Sequence, residues 1–401
     1  MRENSWPEIR IGDLGEVFTG RTPSTERPEY FGSDFPFITP GDMRQGKYVR
    51  ATERSVSHEG AELLKRIRLP ANSVCVSCIG WQMGEAIMTD RPSFTNQQIN
   101  TIVPNSKVEP SFLYYSLRPR KQELLALGAT TGVRTPILNK SAFCDLKVKV
   151  APLPVQRRIG AILSAYDELM ENSQRRIRLL ETLACSIYRE WFIYFRFPGY
   201  EKISRVSSPI GEIPDGWKTA PLSSLVDFAK GRKPAETRAD ALPGDVKLLL
   251  IDSLHGGKPM FTTPAKLVLA ESRDTIMVMD GASSCEVTIG ASGAVGSTLG
   301  RFRTTRPKVF PPHALYRFLE AKAEEFKSKN IGAAIPHANK DYILSQFVAL
   351  PTEEVAASFH EQLEPIQSTI ETLKAQIQNL RQTRDLLLPR LLSGQINLAE
   401  N

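Results

Sequence analysis

The sequence has 401 residues, enough for two to three domains with separate cores. Hydrophobic residues make up 41% and charged residues 24%, which excludes a wholly disordered chain, and the formal net charge of +7 suits a polyanionic partner without requiring one. Five scattered cysteines, Cys75, Cys78, Cys144, Cys185 and Cys285, exclude a disulfide framework. The N-terminal residues lack the apolar core of a signal peptide, and no apolar run is long enough to cross a bilayer, so a soluble, cytoplasmic protein is expected.

In chain order, residues 1–150 hold short apolar runs that read as strands at 35–39, 73–79, 99–103 and 146–150, with a short helix over 111–117. Cys75-Val-Ser-Cys78 sits among Val74, Val76 and Ile79 and reads as a pair of buried free thiols, with a zinc pair as the alternative. From Pro154 to about Trp191 the pattern turns helical. Ile159, Leu163, Tyr166, Met170, Ser173, Ile177, Leu180, Ala184, Ile187 and Trp191 follow the alternating four–three spacing of a coiled-coil seam, with a polar break at Asn172, Ser173 and Gln174.

Residues 210–350 are again mixed, with strands expected at 246–251, 275–279 and 347–350 and a helix over 314–326. The Gly-Ser runs at 281–284 and 290–298 lack a GxxxxGK[ST] loop and read as turns around a strand. A second seam follows over about 353–388, through Leu363, Ile366, Ile370, Leu373, Ile377 and Leu380, with Leu387 continuing it after Arg384. Pro365 is expected to end a first short helix or kink the long one, and Pro389 and Gly394 to stop it.

The chain also repeats itself once. WPEIRIGDLGEVFTGRTP at 6–23 aligns with WKTAPLSSLVDFAKGRKP at 217–234, pairing Trp6 with Trp217, Gly20 with Gly231, Arg21 with Arg232 and Pro23 with Pro234. GVRTPILNK at 132–140 aligns with GAAIPHANK at 332–340, and Leu153-Pro154 and Leu350-Pro351 each open a long helical pattern. The expected fold class is therefore α/β, or mixed α+β. Two duplicated globular domains alternate with two long helices that pair as an antiparallel coiled coil. The boundaries read as a first domain at 1–152, a central helix at 153–195, a linker at 196–212, a second domain at 213–350, and a C-terminal helix and tail at 351–401. At 1.5 Å per residue, about 35 helical residues span roughly 50 Å.

Basic and amide side chains gather in the loops. The candidates for DNA contact are Arg21, Arg44, Lys47, Gln82, Arg134, Asn139 and Lys140 in the first half, and Arg232, Lys233, Lys258, Arg301, Arg303, Asn339 and Lys340 in the second. Arg suits guanine or phosphate, Asn and Gln suit adenine, and Lys suits phosphate. For most of them the plainer reading is a solvated surface group. The pair Gly20-Arg21 and Gly231-Arg232 ranks highest because both halves keep it, and a shared residue is expected to hold the loop or touch backbone rather than read a base. No catalytic constellation appears: His58, His255, His313, His337 and His360 show no pairing at metal-ligand spacing, and no GxSxG elbow or Asn-Pro-Pro-aromatic motif is present. Pro214-Asp215 with Asp245-Val-Lys247 only loosely resembles a nuclease pattern and reads better as a turn.

The order of these pieces resembles the specificity subunit of type I restriction–modification systems. Trp6…Leu14…Gly20-Arg21-Thr22-Pro23 and Ile213-Pro-Asp-Gly-Trp217 look like the openings of its two target-recognition domains. Leu153-Pro-Val-Gln-Arg-Arg-Ile159 resembles the start of its central helix, and Leu391-Leu-Ser-Gly-Gln-Ile396 its C-terminal ending, while Leu350-Pro-Thr-Glu-Glu departs from the usual Gln-bearing form. The resemblance implies a non-catalytic subunit in which each domain reads half of an interrupted, asymmetric site in double-stranded DNA and the helices set the spacing. Its partners would be two methyltransferase subunits carrying S-adenosylmethionine, and up to two translocating restriction subunits using ATP and Mg, with no cofactor or metal in this chain. A separation of roughly 50 Å would set the domains about one to one and a half helical turns of DNA apart. On the residues alone two rivals stay open: a coiled-coil scaffold that does not bind DNA, and a self-sufficient DNA methyltransferase or endonuclease.

Overall fold

Short strands separated by turns fill both halves of the chain, and their order repeats. The computed structural model describes residues 6–80, 83–129, 135–332, 336–396 and 398, and falls into two units, residues 1–173 with 379–401, and residues 174–378.

The first unit runs β1 (Glu8–Arg10), β2 (Gly15–Thr19), β3 (Phe31–Ile38), β4 (Arg54–Val56), α1 (His58–Leu63), β5 (Val74–Ser77), β6 (Ala86–Met88), β7 (Phe94–Thr95), β8 (Ile99–Pro104), α2 (Pro110–Leu117), α3 (Lys121–Ala129), α4 (Lys140–Asp145), β9 (Lys147–Lys149) and the start of α5 (Leu153–Tyr188). One sheet has the antiparallel order β2-β8-β5-β6. A second is β4-β3-β7, in which β3 and β7 are parallel, and β1 pairs with β9. β5 is buried on both faces, which is why its sequence does not alternate. Val74, Val76 and Cys78 face a core with Phe112, Leu113 and Phe143, while Cys75 faces another with Ile38, Ile87 and Ile99. Successive strand residues point to opposite faces, so the two thiols part company and cannot chelate one ion. Burial pushes them up to about 12 and about 11, as befits inert core thiols.

The second unit runs β10 (Arg205–Ser208), β11 (Gly211–Pro214), β12 (Lys218–Pro221), β13 (Val226–Lys230), β14 (Val246–Leu249), α6 (Ile251–Leu254), β15 (Met260–Thr262), β16 (Leu269–Ala270), β17 (Thr275–Val278), β18 (Val287–Thr288), β19 (Gly293–Val295), β20 (Leu299–Thr304), α7 (Pro312–Ala321), α8 (Ala323–Ser328), α9 (Lys340–Ser345), β21 (Phe347–Leu350) and the start of α10 (Glu353–Leu392). Its sheets are β13-β20-β17-β18 and β15-β14-β19-β16, with β14 and β19 parallel, and β12 pairs with β21. Apart from β16 and the β10–β11 hairpin, this is the topology of the first unit. Register is kept as well: Val17 pairs with Ile102 as Phe228 pairs with Phe302.

The two long helices are antiparallel in each unit. In the first, Arg158 Nη1 donates to the Leu398 carbonyl at 2.9 Å and Arg384 Nη1 meets Asp167 Oδ1 at 2.5 Å. In the second, Lys374 lies 3.5 Å from Glu181, and Phe359 packs on Tyr188, Trp191 and Phe192. Of the expected seam, Ile159, Leu163, Met170, Ile177, Leu363, Ile370, Leu373 and Ile377 are buried, whereas Tyr166, Leu180, Ile187, Ile366 and Leu380 are half-buried. Tyr188 and Gln367, one position along, are buried instead of Ile187 and Ile366. The reason is that the helix ends also face a domain. Ile159, Leu163, Leu388 and Leu391 join the first unit's core, and Ala184, Tyr188, Trp191, Phe359 and Leu363 join the second's. The narrow two-helix stripe therefore broadens where a globular layer must also be covered.

α10 corrects one expectation. It runs unbroken through Pro365 and Pro389 to Leu392. Each proline costs one helical hydrogen bond, but Pro365 and Pro389, with Glu361 and Asp385 four residues earlier, lie on the exposed face, where water can serve the freed carbonyl. The helix stops at Gly394, whose φ of 75° is the left-handed conformation of a C-terminal cap. α5 ends in a π-turn at Arg189–Ile193. Among the described residues no helix is long and apolar enough to cross a membrane.

Candidate nucleic-acid interface

β2 and β13 end on the repeated Gly-Arg pair, and the backbone there is held identically. Gly20 N donates to Ile99 O at 3.1 Å and Arg21 N to Thr95 O at 3.0 Å. Gly231 N donates to Leu299 O at 2.9 Å and Arg232 N to Val295 O at 3.1 Å. A Cβ on Gly20 would stand 2.2 Å from Asn96 O, and one on Gly231 2.1 Å from Gly296 O. Only glycine lets the strand end approach this closely. The arginine that follows is exposed in both units.

Other loops converge on each turn. In the first unit Thr19 Oγ1 donates to Asn100 Oδ1 at 2.7 Å, Asn100 Nδ2 to Leu138 O at 3.3 Å, and Thr22 Oγ1 to Gln97 Oε1 at 2.8 Å. Ile79 bridges Ile137, bringing the loop after β5 to the segment before α4. In the second unit the same places carry charge. Lys230 Nζ lies 2.7 Å from Asp280, His337 Nδ1 lies 2.8 Å from it, and Asp280 bridges His337. Burial would raise the Asp280 carboxyl, but hydrogen bonds from Lys230 and His337 prevail and hold it below the usual range. Each domain thus gathers one polar loop cluster around its Gly-Arg turn.

Asn139 and Asn339 are placed here as helix caps: their Oδ1 atoms accept from Ala142 N at 2.8 Å and Tyr342 N at 3.1 Å. Lys140 and Lys340 follow them and are exposed, with Lys340 Nζ 5.2 Å from the centre of the Phe228 ring. Lys233 is exposed beside Arg232. Arg44 and Lys258 are exposed on separate loops, after β3 and before β15. Gln82 and Arg134 lie outside the described residues.

Three candidates are not presented to a partner. Lys47 is buried, donating to Ser111 Oγ at 3.0 Å and Ser164 Oγ at 2.6 Å among the rings of Tyr48, Tyr114 and Tyr115. Burial pulls its ammonium below the usual lysine range against the opposing pull of Glu109 and Asp167. Arg301 pairs with Asp227 and donates to Leu269 O at 3.0 Å. Arg303 grips the buried Asp274 with two bonds at 2.7 and 2.6 Å. A guanidinium committed to a carboxylate is a strut in the sheet rather than a base reader. The sequence reading also missed one cluster: His313, His360 and Glu364 come together although no histidine pair shows ligand spacing. His360 and Glu364, four apart on a helix, were the available signal.

Two equivalent domains, each with a polar loop cluster at the same strand ends and each backed by antiparallel helices, define a duplicated recognition module. The sequence profile for the "Type I restriction modification DNA specificity domain" matches residues 3–182. The type I restriction enzyme MjaIX specificity subunit of Methanocaldococcus jannaschii is 22% identical over 98% of this chain and 94% of its own length. The HindI specificity subunit of Haemophilus influenzae is 34% identical over 44% of this chain and 39% of its own. The crystal structure of the type I restriction–modification system S subunit from M. genitalium matches in fold with a TM-score of 0.65 at 15% identity, over 98% of this chain and 97% of that one. Residues 3–182 thus match the DNA specificity domain of type I restriction–modification systems, and nearly the whole chain is similar in sequence and fold to specificity subunits of that kind.

Proposed function

We propose that this chain is the non-catalytic DNA-reading subunit of a type I restriction–modification complex in the cytoplasm. Each domain reads one half of an interrupted, asymmetric duplex site, and the paired helices set the gap. Two methyltransferase subunits carrying S-adenosylmethionine dock on it, and up to two restriction subunits using ATP and Mg add cleavage. The observation that carries this reading is the Gly-Arg turn, held by the same backbone bonds in both domains and presenting an exposed arginine within a polar cluster. Arg21, Arg232, Lys233, Lys140 and Lys340 are the first contacts to test, followed by Arg44, Lys258, Gln82 and Arg134.

The test is to co-express the chain with a methyltransferase subunit, capture duplexes from a random library and sequence them. Two short blocks at a fixed gap support the reading. One continuous block means that a single domain reads DNA, and no enrichment with an intact complex overturns it. Arg21→Gln should weaken binding across sequences and lower the salt slope by about one, as loss of a phosphate contact does. Removing one heptad from both helices should change the gap and leave the half-sites intact.

A further inference from the structure

Away from the loop clusters, the second unit brings together a buried and two half-buried donors for which DNA reading has no use. α10 sets His360 and Glu364 one turn apart on the same face, because residues four apart stack along a helix. His313, the second residue of α7, meets them from the domain side. One ligand atom from each of the three lies within 4.8 Å of the other two. His313 is 2% exposed, and its Nε2 stands 2.8 Å from Glu364 Oε2. Its ring stacks on that of His360 with centroids 5.3 Å apart. His360 Nδ1 is buried and makes no hydrogen bond. A buried ring nitrogen without a partner is uncommon in folded proteins and is usually answered by a water or an ion.

Two imidazoles and a carboxylate are the donor set of an open zinc site, with three protein ligands and a fourth position left over. Tetrahedral ligands about 2.0–2.1 Å from an ion stand roughly 3.3 Å apart, so the three side chains need to move by only about 1 Å or so. The surroundings suit a cation. Arg273 grips Glu364 through Nη2 and through Nε, at 3.0 Å from Oε2, and Ser368 Oγ lies 3.2 Å from Oε1. Arg273 Nη1 reaches Glu371 at 2.7 Å, which also accepts from Gln367 at 2.9 Å. Two carboxylates to one guanidinium leave the neighbourhood net negative, and the guanidinium fixes the carboxylate as outer-shell partners of metal ligands do.

We propose that His313, His360 and Glu364 bind one divalent transition-metal ion of the zinc type, tying α7 to α10 within the second unit. The ion takes the place of the proton shared between His313 Nε2 and Glu364 Oε2, with no change of oxidation state. It acts as a lock holding this domain to its own helix.

The test uses the full chain, purified on a tag without histidines and stripped with EDTA. Zn2+ is then titrated against a chromophoric chelator. One equivalent should bind, and Zn2+ at a hundred times its Kd should lower the unfolded fraction roughly a hundredfold. Co2+ should give the visible bands of a tetrahedral nitrogen–oxygen site, a wild-type reading that needs no variant to fold. His360→Ala should weaken binding at least about tenfold. Cys78→Ser should leave it unchanged. Absence of a stoichiometric equivalent, sulfur-to-cobalt charge transfer, or binding indifferent to His360→Ala would each overturn the site and leave the trio as a hydrogen-bonded strut.

Discussion

Asp167 and Arg384 join the two long helices inside the first unit, and breaking that pair is the sharpest test of how the C-terminal end of α10 is held. Their side chains are only 10% and 8% exposed, and Tyr115 Oη also donates to Asp167 Oδ2 at 2.7 Å. Asp167→Asn keeps the volume and removes the charge, leaving the Arg384 guanidinium buried. Removing one member of a buried pair costs about 3–5 kcal/mol. Asp385 also contacts Arg384, at 2.7 Å, but is 56% exposed and compensates weakly, so the low end, about 3 kcal/mol, is expected. That is roughly a hundredfold in the folding equilibrium. With a urea m value of about 3 kcal/mol per M, the midpoint should fall by about 1 M. The double variant Asp167→Leu with Arg384→Met should recover most of the loss, since an apolar pair is often as stable as a buried ionic one. Should Asp167→Asn unfold at the wild-type urea concentration, the ion pair is not what secures the end of α10.

Gly20→Ala and Gly231→Ala each drive a methyl into a carbonyl, and each should lower stability by about 1–3 kcal/mol, read as a drop in Tm. Arg303→Met strands the buried Asp274 and should cost about 2 kcal/mol in denaturant unfolding, with the selected DNA sequence unchanged. Lys47→Met should be at least as stable as wild type at neutral pH, because burial in the folded state holds the ammonium below the ordinary lysine value of 10.5. The unfolded chain binds that proton more tightly, so wild type gains on Lys47→Met as pH rises toward 10.5; a gap that stays constant over that range would refute the assignment.

Periodicity and repetition were legible because they are written in local spacing. Both seams follow from residues three and four apart, and the doubled domain order from short motifs that recur in the same sequence order, whereas Asn139 and Asn339, expected as DNA contacts, proved to be helix caps. What was not legible depends on partners distant in sequence. Lys47 is a loop lysine until Ser111, Ser164 and three tyrosines close over it. Arg303 has the chemistry of a guanine reader until Asp274 occupies it. His313 stands 47 residues before His360, so no local spacing rule pairs them. Pro365 is a helix breaker only where its freed carbonyl is buried, and a sequence does not state which face that is.

The two domains share what the fold needs and differ in what lies beside the shared turn. Gly20 and Gly231 permit the same close approach, and Val17 on Ile102 matches Phe228 on Phe302. At the rim the correspondence ends. Thr19 is replaced by Lys230, Thr22 by Lys233, Ile79 by Asp280 and Ile137 by His337. A neutral hydroxyl–amide cluster has thus become an ionic one on the same backbone. If the clusters read DNA, the halves should select different sequences while sharing phosphate contacts. Exchanging residues 210–350 for another recognition domain should then change one half-site only. A change in both blocks of the selected sequence would mean that reading is not divided between the domains.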